Sequence, residues 1–401
     1  MARLKVLFIT NWYPTTEEPA KAVWAREHAR AVRIYDDVVV LHCVGSDFDL
    51  KSCWVMTPES DPRLSYGIPT HRVQHRRSRI PHASYLIYLW AIWGAFQRLV
   101  DEGFRPDVIH VHIYDAGWPA LLIGTLHHIP VVVSEHFSSF PRGSLTRLDV
   151  GKAWLAFRWA SRVLTVSYAL QEAIERYGIR SRFQVVPNVV DTMLFSPCAQ
   201  RLTDADPKRL LLVGQLVPVK GVPYLLQALS DLREKRDDWH LDIVGDGGRR
   251  MEYEQLAVDL KLCDKVTFHG LKPKPEVAKF MRRADLFVLP SLFETFSTPA
   301  AEALATGTPV LSTRCGGPEE FVVNDVGFLV SPGDADALRS GLDYMLDRLH
   351  RYSRMEISQY ARERFSLEVV GAQLHAMYQA VSADAQAARK TRTASSPRSG
   401  G

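Results

Sequence analysis

The feature that most constrains the fold is a regular alternation of short apolar runs with helical stretches. In its first series the predicted strands are the segments 4–10, 38–44, 108–113, 131–134, 163–166 and 184–186. Helical patterns separate several of them, near 84–102, 115–128, 148–161 and 168–177. Continuous apolar strands need cover on both faces, so the pattern predicts a parallel sheet between two helix layers.

The same alternation then restarts. The second series of predicted strands is 210–214, 241–245, 265–268, 286–290, 310–313 and 327–330. The segment 189–208, which contains Pro197 and the polar stretch 203–207, separates the two series and is interpreted as a linker. We therefore expect an α/β fold of two Rossmann-like lobes facing each other across a cleft, with ligands at the carboxyl ends of the strands.

The expected domain organisation follows from these two series. An N-terminal lobe covers 1–197, and a C-terminal lobe covers 198–365. A helix at 366–384 is expected to cross back to the N-terminal lobe. The tail 385–401 is basic, polar and without apolar periodicity, so it is predicted to be disordered.

Composition excludes several classes of protein. The 49 basic and 45 acidic residues leave a net charge of +4, which is too balanced to demand a nucleic-acid partner. Five scattered cysteines without paired spacing argue against a disulfide framework or a zinc ribbon, and favour a reducing, cytoplasmic location. The N-terminal apolar run is shorter than a signal peptide requires, and no apolar run has the length of a membrane span.

The most informative segment runs from 289 to 310. A strand is followed by a loop with Glu294, then Thr298 as the expected N-cap, Pro299 at the first helical position and Glu302 one and a half turns in. Two carboxylates beside the free amides of a helix N-terminus can bind sugar hydroxyls and an anion together. The alternative is that Glu294 is a solvated loop residue and Glu302 only complements the helix dipole.

A second segment, 210–229, points to the same chemistry. A strand ends at Gly214, and a short loop leads to Lys220 and Gly221 at the start of a helix. A lysine just before a helix N-terminus is suited to bind phosphate, although the glycine spacing is not that of a Walker A loop. The alternative interpretation of Lys220 is a solvated loop lysine.

Together these segments resemble the retaining glycosyltransferases of family 4, which have the GT-B fold. Glu294 and Glu302 match the paired-glutamate motif of that family. Other segments that look like family segments, in the family's order, are Asn11-Trp-Tyr-Pro14, Asp107-Val-Ile-His-Val-His112, Ser134-Glu-His136, Val186-Pro-Asn-Val-Val-Asp191, Ile243-Val-Gly-Asp-Gly247, Val266-Thr-Phe-His-Gly270, Gly316-Gly-Pro-Glu-Glu320 and Gly327-Phe-Leu-Val-Ser-Pro-Gly-Asp334.

The resemblance implies an activity. A hexose-type sugar would move, with retention of configuration, from a UDP- or GDP-sugar to a polysaccharide, oligosaccharide or lipid-linked acceptor in cell-surface glycan synthesis. The nucleotide-sugar is a co-substrate, and neither a metal nor a cofactor is expected. Two D-x-D patterns, at 204–206 and 334–336, lie in polar loop or helix-start contexts and are interpreted as structural.

The resemblance also implies roles for individual residues. His136, Lys220 and Glu294 are the expected catalytic residues, and Tyr13 and His112 are expected on the acceptor side. The expected donor-binding set comprises Gly214, Gln215, Lys220, His269, Gly270, Leu271, Glu294, Phe296, Ser297, Thr298 and Glu302. Histidines at strand ends, such as His110, often have a structural role instead, and that alternative stays open for His112 and His136.

Three positions depart from the family pattern. Gln215 stands where an arginine often joins the lysine at the diphosphate, which weakens the expected charge there unless another arginine such as Arg314 compensates. Ser297 and Ala22 each stand where glycine is common. Two alternative functions therefore stay open: a non-catalytic nucleotide-sugar-binding member or partner subunit, and a nucleotide-sugar epimerase of GT-B fold, against which the paired glutamates argue.

The stretch 63–100 holds no acidic residue. It holds six arginines, Arg63, Arg72, Arg76, Arg77, Arg79 and Arg98. The patch 71–82 within it is followed by an aromatic helical segment with Tyr85, Tyr88, Trp90, Trp93 and Phe96. This combination suits peripheral contact with anionic lipid headgroups. The alternative is that the aromatic side chains are core residues with solvated arginines around them.

Overall fold

A computed structural model of the chain describes residues 3–19, 21–46, 50, 52–78, 80, 83–197 and 207–395. The chain divides into two compact units. Unit 1 comprises Met1–Val166, Leu170–Val189 and Leu367–Gly401, and unit 2 comprises Ser167–Ala169 and Val190–Ser366. Part of the predicted linker, 198–206, lies outside the described residues, and so do Asp204 and Asp206 of the first D-x-D pattern.

Unit 1 contains a mostly parallel sheet in the order β3-β4-β2-β1-β5-β6-β7-β8. Its strands are β1 (Lys5–Thr10), β2 (Asp37–Ser46), β3 (Trp54–Pro58), β4 (Thr70–Arg76), β5 (Val108–His112), β6 (Val131–Glu135), β7 (Arg162–Thr165) and β8 (Phe183–Val185). Strands β1, β2 and β5 are almost entirely buried. Only the edge strand β3 runs antiparallel to its neighbour among the described strands of this sheet.

Helices complete unit 1. They are α1 (Val23–Tyr35), α2 (Pro62–Ser65), α3 (Ala83–Asp101), α4 (Gly117–His127), α5 (Ser139–Arg142), α6 (Arg147–Trp159), α7 (Tyr168–Glu175), whose first two residues belong to unit 2, and α14 (Leu367–Ser395), the last helix of the chain. Val6, Phe8 and Val40 of the sheet share one apolar core with Val370 and Tyr378 of α14. The final helix is thus part of the core of the unit that the N-terminal residues begin.

Helix α14 packs closely against α1. A Cβ atom on Gly371 would lie 2.3 Å from the carbonyl oxygen of Ala31, so only a glycine permits this approach. The helix continues through Ser395. The expectation of disorder from 385 onward is therefore wrong as far as 395, because alanine, lysine and arginine are good helix formers and extend the helix without apolar periodicity; residues 396–401 lie outside the described residues.

Unit 2 contains a parallel sheet in the order β11-β10-β9-β12-β13-β14. Its strands are β9 (Lys208–Val213), β10 (Trp239–Val244), β11 (Val266–Gly270), β12 (Leu286–Leu289), β13 (Val310–Thr313) and β14 (Gly327–Val330), and its helices are α8 (Val222–Arg233), α9 (Arg250–Asp259), α10 (Lys274–Arg283), α11 (Thr298–Ala305), α12 (Ala335–Leu346) and α13 (Arg354–Phe365). Leu210, Leu241 and Trp239 lie in its core.

The expected α/β class with two parallel sheets is confirmed. Strands β3 and β4 were not predicted. Strand β4 carries histidine, arginine and glutamine between its buried positions, so its composition does not distinguish it from a loop. None of the helices within the described ranges combines the length and the hydropathy that a membrane crossing requires.

Candidate active site

The predicted residues Lys220 and Glu294 form an ion pair in unit 2. Lys220 Nζ lies 2.5 Å from Glu294 Oε1, and the Ser291 hydroxyl donates to the same oxygen at 2.8 Å. Both charged side chains are largely buried. Gly221 allows the loop after β9 to come close to the end of β12, because it has φ +64° and a Cβ there would lie 2.0 Å from the carbonyl oxygen of Pro290. The two segments that carry Lys220 and Glu294 are therefore in backbone contact beside the pair.

The backbone on both sides of Glu294 is also fixed. The Glu294 amide donates to the carbonyl of Cys315 at 2.7 Å, and the Gly317 amide donates to the Glu294 carbonyl at 3.0 Å. A Cβ on Gly317 would lie 2.2 Å from the carbonyl oxygen of Thr295, and Gly316 has φ +105°. The two glycines of the segment 316–320 therefore let the chain after β13 brace the loop that carries Glu294.

The N-terminus of α11 follows this loop. Ser297, not Thr298, is the N-cap residue, so the predicted start of the helix was wrong by one position. Ser297 has φ +69°, and its buried hydroxyl has no hydrogen-bond partner among the described residues. Phe296 is buried against Phe321 and Phe365, which leaves its backbone rather than its ring as the group for a ligand.

Glu302 lies on α11 and is 5% exposed. Lys274 Nζ, at the first position of α10, lies 3.1 Å from Glu302 Oε1. The sequence interpretation missed Lys274. The signal was present, because Lys274, like Lys220, lies within two residues of the start of an α-helix that has proline in its first turn. The site thus holds two Lys–Glu pairs rather than the one cation predicted.

Gly214 and Gln215 form the loop directly after β9. A Cβ on Gly245, after β10, would lie 1.9 Å from the carbonyl oxygen of Gly214, so these two loops are in backbone contact. The Gln215 side chain is exposed. Arg314 Nη1 lies 3.7 Å from Glu319 Oε2, with both side chains partly exposed, and this acidic partner offsets the charge that was suggested to compensate for Gln215.

The segment His269–Leu271 ends β11. His269 Nε2 lies 2.7 Å from Asp242 Oδ1, and its ring packs on Phe280 with centroids 4.6 Å apart. Gly270 has φ +69°, and Leu271 is 69% exposed. Since the His269 ring is already engaged within the unit, this segment offers a ligand its backbone and the Leu271 side chain.

The predicted residue His136 lies in a buried histidine cluster of unit 1. His112 Nδ1 lies 3.2 Å from His136 Nε2, and Trp24 stacks on His136 with ring centroids 3.9 Å apart. His28 packs on both histidines. Burial lowers the pKa of His28 to about 4 and lowers the pKa values of His112 and His136 well below the ordinary value, so all three rings are neutral.

These three histidines are also the one group among the described residues whose nitrogen, sulfur or carboxylate atoms lie close enough to hold a metal ion, all within 4.8 Å of one another. His112 Nδ1 and His136 Nε2 already form a hydrogen bond with each other, which requires that one of them carries the proton. His112 Nε2, His136 Nδ1 and His28 Nδ1 have no hydrogen-bond partner among the described residues. Imidazole nitrogens can bind zinc or copper, although the hydrogen bond between His112 and His136 needs no ion.

His110 has the structural role that was its alternative. Its Nδ1 lies 2.5 Å from the Tyr378 hydroxyl of α14, and its Nε2 lies 2.7 Å from the Ser134 hydroxyl. The neighbouring Glu135 is fully buried and accepts hydrogen bonds from the amides of Tyr114, His136 and Phe137. These bonds fix the two loops that follow β5 and β6.

A cavity of about 520 Å³ opens in unit 1, at the carboxyl ends of several strands. Its lining comprises Asn11, Trp12, Lys21, Cys43, Val44, Gly45, His75, Arg77, Ser84, Tyr85, Tyr88, Asp115 and Lys152. The expected acceptor-side residues Tyr13 and His112 are 1% and 0% exposed and do not line it. The described residues that do line it come from seven separate stretches of sequence, and only the sheet topology brings them together.

The stretch 63–100 is neither purely core nor purely surface. Tyr88 and Phe96 of α3 are buried, whereas Trp90 and Leu86 are 55% and 65% exposed. Arg72 is not a solvated surface residue, because it pairs with Glu59 and donates to the carbonyl of Pro14. Arg79 lies outside the described residues.

The backbone conformation explains why glycine is common at two of the positions that depart from the family pattern. Ala22 and Ser297, the positions where the family commonly has glycine, have φ +49° and +69°. Glycine is the residue that adopts this left-handed conformation without strain.

In the second D-x-D pattern, Asp334 caps α12 by accepting from the Ala337 amide at 2.9 Å, which is a structural role.

Comparisons with known proteins show which family the chain resembles. The family model "Glycosyl transferases group 1" matches residues 199–364, and "Glycosyltransferase Family 4" matches residues 52–194. Glycogen synthase of Mycobacterium tuberculosis is 30% identical over 62% of this chain and 62% of its own length. The MMP alpha-(1->4)-mannosyltransferase of Mycolicibacterium hassiacum is 31% identical over 68% of this chain and 70% of its own.

Solved structures show the same architecture. HepE of Anabaena, crystallised in complex with UDP, aligns over 94% of this chain and 100% of its own with a TM-score of 0.74 and 21% identity. Sucrose-phosphate synthase from Thermosynechococcus elongatus aligns over 95% and 100% with a TM-score of 0.72 and 20% identity. The fold is therefore that of the GT-B enzymes, and the chain belongs to glycosyltransferase family 4.

Proposed function

We propose that this glycosyltransferase transfers a hexose-type sugar from a UDP- or GDP-sugar, with retention of configuration and without a bound metal or cofactor. The observation that carries the proposal is the Lys220–Glu294 pair, held on three sides by backbone contacts beside the N-terminus of α11. A cation, a carboxylate and free helix amides meet there, and these are the groups that bind a diphosphate and a sugar. The UDP in crystals of the Anabaena neighbour supports this donor class.

The pairing of Lys220 with Glu294 suggests how the donor is bound. Lys220 and Glu294 neutralise each other, and a diphosphate would take Lys220 as its partner in place of Glu294. Glu294 would then accept hydrogen bonds from donor-sugar hydroxyls, while Ser291 continues to hold its Oε1. Glu302, positioned by Lys274, would accept from the ribose hydroxyls. Phe296, Ser297 and Thr298 would contribute backbone amides.

In the proposed reaction the bond between the anomeric carbon and the phosphate oxygen breaks, and a bond to an acceptor hydroxyl oxygen forms on the same face. The acceptor proton passes to the leaving phosphate. Lys220 and the N-terminus of α11 stabilise the negative charge that develops on the diphosphate. Glu294 is assigned binding rather than nucleophilic attack, because attack on the same face needs no nucleophile from the enzyme.

We assign donor binding to residues 198–365 and acceptor binding to residues 1–197, with the histidine cluster around His136 close to the acceptor. A polysaccharide, oligosaccharide or lipid-linked acceptor is proposed, since the relatives named above act in glycogen and mannoside synthesis by name. The exposed Trp90 and Leu86 on α3, beside the basic residues of the same stretch, would support peripheral contact with a membrane.

One observation favours a second candidate, a non-catalytic nucleotide-sugar-binding member. Gln215 is uncharged and exposed at the position where an arginine is frequent in the family. A site with Lys220 as its one cation at the diphosphate would bind the donor but stabilise the leaving group less well.

A panel of UDP-, GDP- and ADP-sugars separates the two candidates. Hydrolysis or transfer of a donor by the intact chain, abolished in Glu294→Ala and kept in the exposed control Glu172→Ala, would support catalysis. Binding of a donor without any turnover would favour the second candidate. If no nucleotide or nucleotide-sugar changes the melting temperature, both are wrong.

A further inference from the structure

A second cavity of unit 1, with a volume of about 470 Å³, is lined mainly by arginine. We call it the arginine cavity, and the residues that line it are Arg158, Ala160, Arg180, Ser181 and Arg182. None of them is acidic, and the stretches 150–171 and 176–190 around them contain no aspartate or glutamate. The positive charge of the arginine cavity is therefore not offset by its own lining.

The three arginines have no partner within the described part of the chain. The guanidinium groups of Arg158, Arg180 and Arg182 form no ion pair, hydrogen bond or ring contact with any described residue. Arg176, in the same region, does have an acidic partner, because it pairs with Glu172 four positions before it. Like charges around one cavity repel each other, so the cluster is unfavourable unless an anion lies between its members.

A fourth arginine lies beside the arginine cavity. Arg162 is the first residue of β7, two positions after Ala160. Its Nε is buried and has no hydrogen-bond partner among the described residues, although a buried donor normally has one. Arg162 therefore adds a positive charge at this edge of the sheet that no described acidic side chain offsets.

The two segments that carry the arginines are fixed to each other. The Ser181 hydroxyl donates to the carbonyl of Phe157, in the last turn of α6, at 2.7 Å. The amide of Val163 donates to the carbonyl of Arg182 at 3.1 Å. Phe157 also packs edge-on against Phe183 of β8, with ring centroids 6.4 Å apart. The backbone of the arginine cavity is therefore preformed, and a ligand does not have to order it.

The arginine cavity lies at the edge of the sheet opposite to the 520 Å³ cavity. Ala160 lies just before β7 and Arg182 just before β8, and these two strands are parallel, so both residues mark the amino ends of their strands. The 520 Å³ cavity opens at the carboxyl ends. A ligand in the arginine cavity is therefore not an acceptor bound in the 520 Å³ cavity.

We propose that the arginine cavity binds a compound with two or more phosphate groups, at a site separate from those of the donor and the acceptor. Each guanidinium offers paired N–H groups that match phosphate oxygens, and three of them suit more than one phosphate. The volume of about 470 Å³ is that of a small-molecule site, which favours a compact ligand over an extended polyanion.

The phosphate groups can belong to a soluble compound or to a lipid headgroup. Trp154 and Trp159 of α6, on either side of Arg158 in the sequence, are 48% and 66% exposed. They would contact the lipid in the second case, because tryptophan favours the interface of a membrane. The experiment therefore has one arm for each source.

The first arm measures binding of phosphate, pyrophosphate and tripolyphosphate to the full chain by isothermal titration calorimetry. Pyrophosphate is expected to bind roughly tenfold more tightly than phosphate, because it adds charge-assisted hydrogen bonds. The same difference is expected in Lys220→Ala, which removes the cation of the candidate active site. The second arm measures binding to phosphatidylcholine vesicles with and without phosphatidylinositol 4-phosphate, whose headgroup carries two phosphate groups.

Variants test whether the arginine cavity is responsible. Arg158→Gln, Arg180→Gln and Arg182→Gln should each weaken pyrophosphate binding roughly tenfold, the loss typical of a hydrogen bond to a charged group. Without phosphate, each should keep or raise the Tm, because repulsion among the arginines decreases. The control Arg176→Gln removes a neighbouring exposed arginine that has an acidic partner, and it should not change binding.

Pyrophosphate binding that the three variants weaken identifies a soluble ligand. Binding seen only with phosphatidylinositol 4-phosphate vesicles, together with a blue shift of tryptophan fluorescence, identifies the lipid source. Absence of binding in both arms, an equal effect of Arg176→Gln, or binding that only Lys220→Ala abolishes overturns the proposal. None of these readouts requires sugar transfer, so the proposed function and this proposal can fail independently.

Discussion

Lys220 Nζ and Glu294 Oε1, separated by 74 positions in the sequence, lie 2.5 Å apart in the candidate active site. The pair is largely buried, and the Ser291 hydroxyl is the other side-chain donor to the Glu294 oxygen. Breaking such a pair leaves a charge that is poorly compensated in a region of low solvent access. Each residue is therefore the charged partner of the other until a charged ligand enters.

The first prediction concerns this lysine. Lys220→Ala should lower kcat by roughly 10²- to 10³-fold, because the leaving diphosphate loses its cation. Steady-state assays of nucleoside diphosphate release measure the effect. The control Lys279→Ala removes an exposed lysine of α10 and should leave kcat unchanged. Equal activity of the Lys220→Ala variant and the unmodified chain would contradict the assigned role.

Ser297 is the subject of the second prediction. Its left-handed backbone, φ +69°, and its buried hydroxyl without a partner are both unfavourable. Ser297→Gly should raise the free energy of unfolding by about 1 kcal/mol, the cost of a left-handed conformation for a residue with a Cβ. Urea denaturation measures it. Unchanged or reduced stability would mean that the hydroxyl contributes to the fold.

A third prediction tests the packing of α14 on α1. Gly371→Ala should destabilise unit 1 by about 1–3 kcal/mol, because the new Cβ would lie 2.3 Å from the Ala31 carbonyl oxygen and force the helices apart. Gly151→Ala in α6 is the matched control, since a Cβ there meets no atom within 4 Å. Calorimetry should show a lower Tm for the first variant alone.

The fourth prediction is that mild acid destabilises unit 1. Burial lowers the pKa of His28 to about 4 and of His42 to about 3, and lowers it well below the ordinary value in three further histidines. In the unfolded chain these groups bind protons near pH 6.5, so the unfolded state gains protons first as the pH falls. Each such histidine removes up to about 1.4 kcal/mol of stability per pH unit below 6.5.

Glu135 acts in the opposite direction. Burial raises its pKa to about 7, so between pH 7 and its ordinary value the folded chain binds more protons at this group and gains stability as the pH falls. Five histidines outweigh one glutamate, and the net free energy of unfolding should decrease from pH 6.5 to 5.5. Urea titrations at both values measure it; His28→Leu should reduce the slope, and the exposed control His350→Leu should not.

A fifth prediction addresses metal dependence. Sugar transfer should be unchanged after dialysis against EDTA, because the proposed reaction uses Lys220 and helix amides in place of a metal ion. Elemental analysis of the purified chain should then show no stoichiometric zinc or copper. Loss of activity that zinc restores would contradict this and would point to the cluster of His28, His112 and His136.

The sequence was sufficient to predict the parallel sheets and the segments around Glu294 and Lys220, because these depend on local patterns: apolar runs, a proline in the first helical turn and a lysine before it. Lys274 followed the same local pattern and was overlooked. By contrast, the cavity of unit 1 could not be predicted. Asn11, Arg77 and Lys152 have no pattern in common, and they come together only because β1, β4 and α6 place them at one edge of the sheet.

The sequence also did not show what each buried side chain packs against. His110 and His112 are two positions apart on β5 and look equivalent in the sequence, yet His110 hydrogen-bonds to Tyr378 and Ser134 while His112 contacts His136. The difference depends on which elements pack on each position, including the last helix of the chain. A pattern of neighbouring residues does not contain that information.

The position of α14 has a consequence for how the chain is made. Unit 2 draws almost all of its residues from the continuous stretch Val190–Ser366, so it can fold as soon as that stretch has left the ribosome. Unit 1 cannot complete its core until Val370 and Tyr378 have been synthesised, although its first strand is translated before any part of unit 2. The sheet of unit 1 therefore remains exposed, on the face that α14 covers, until the residues of unit 2 have been translated.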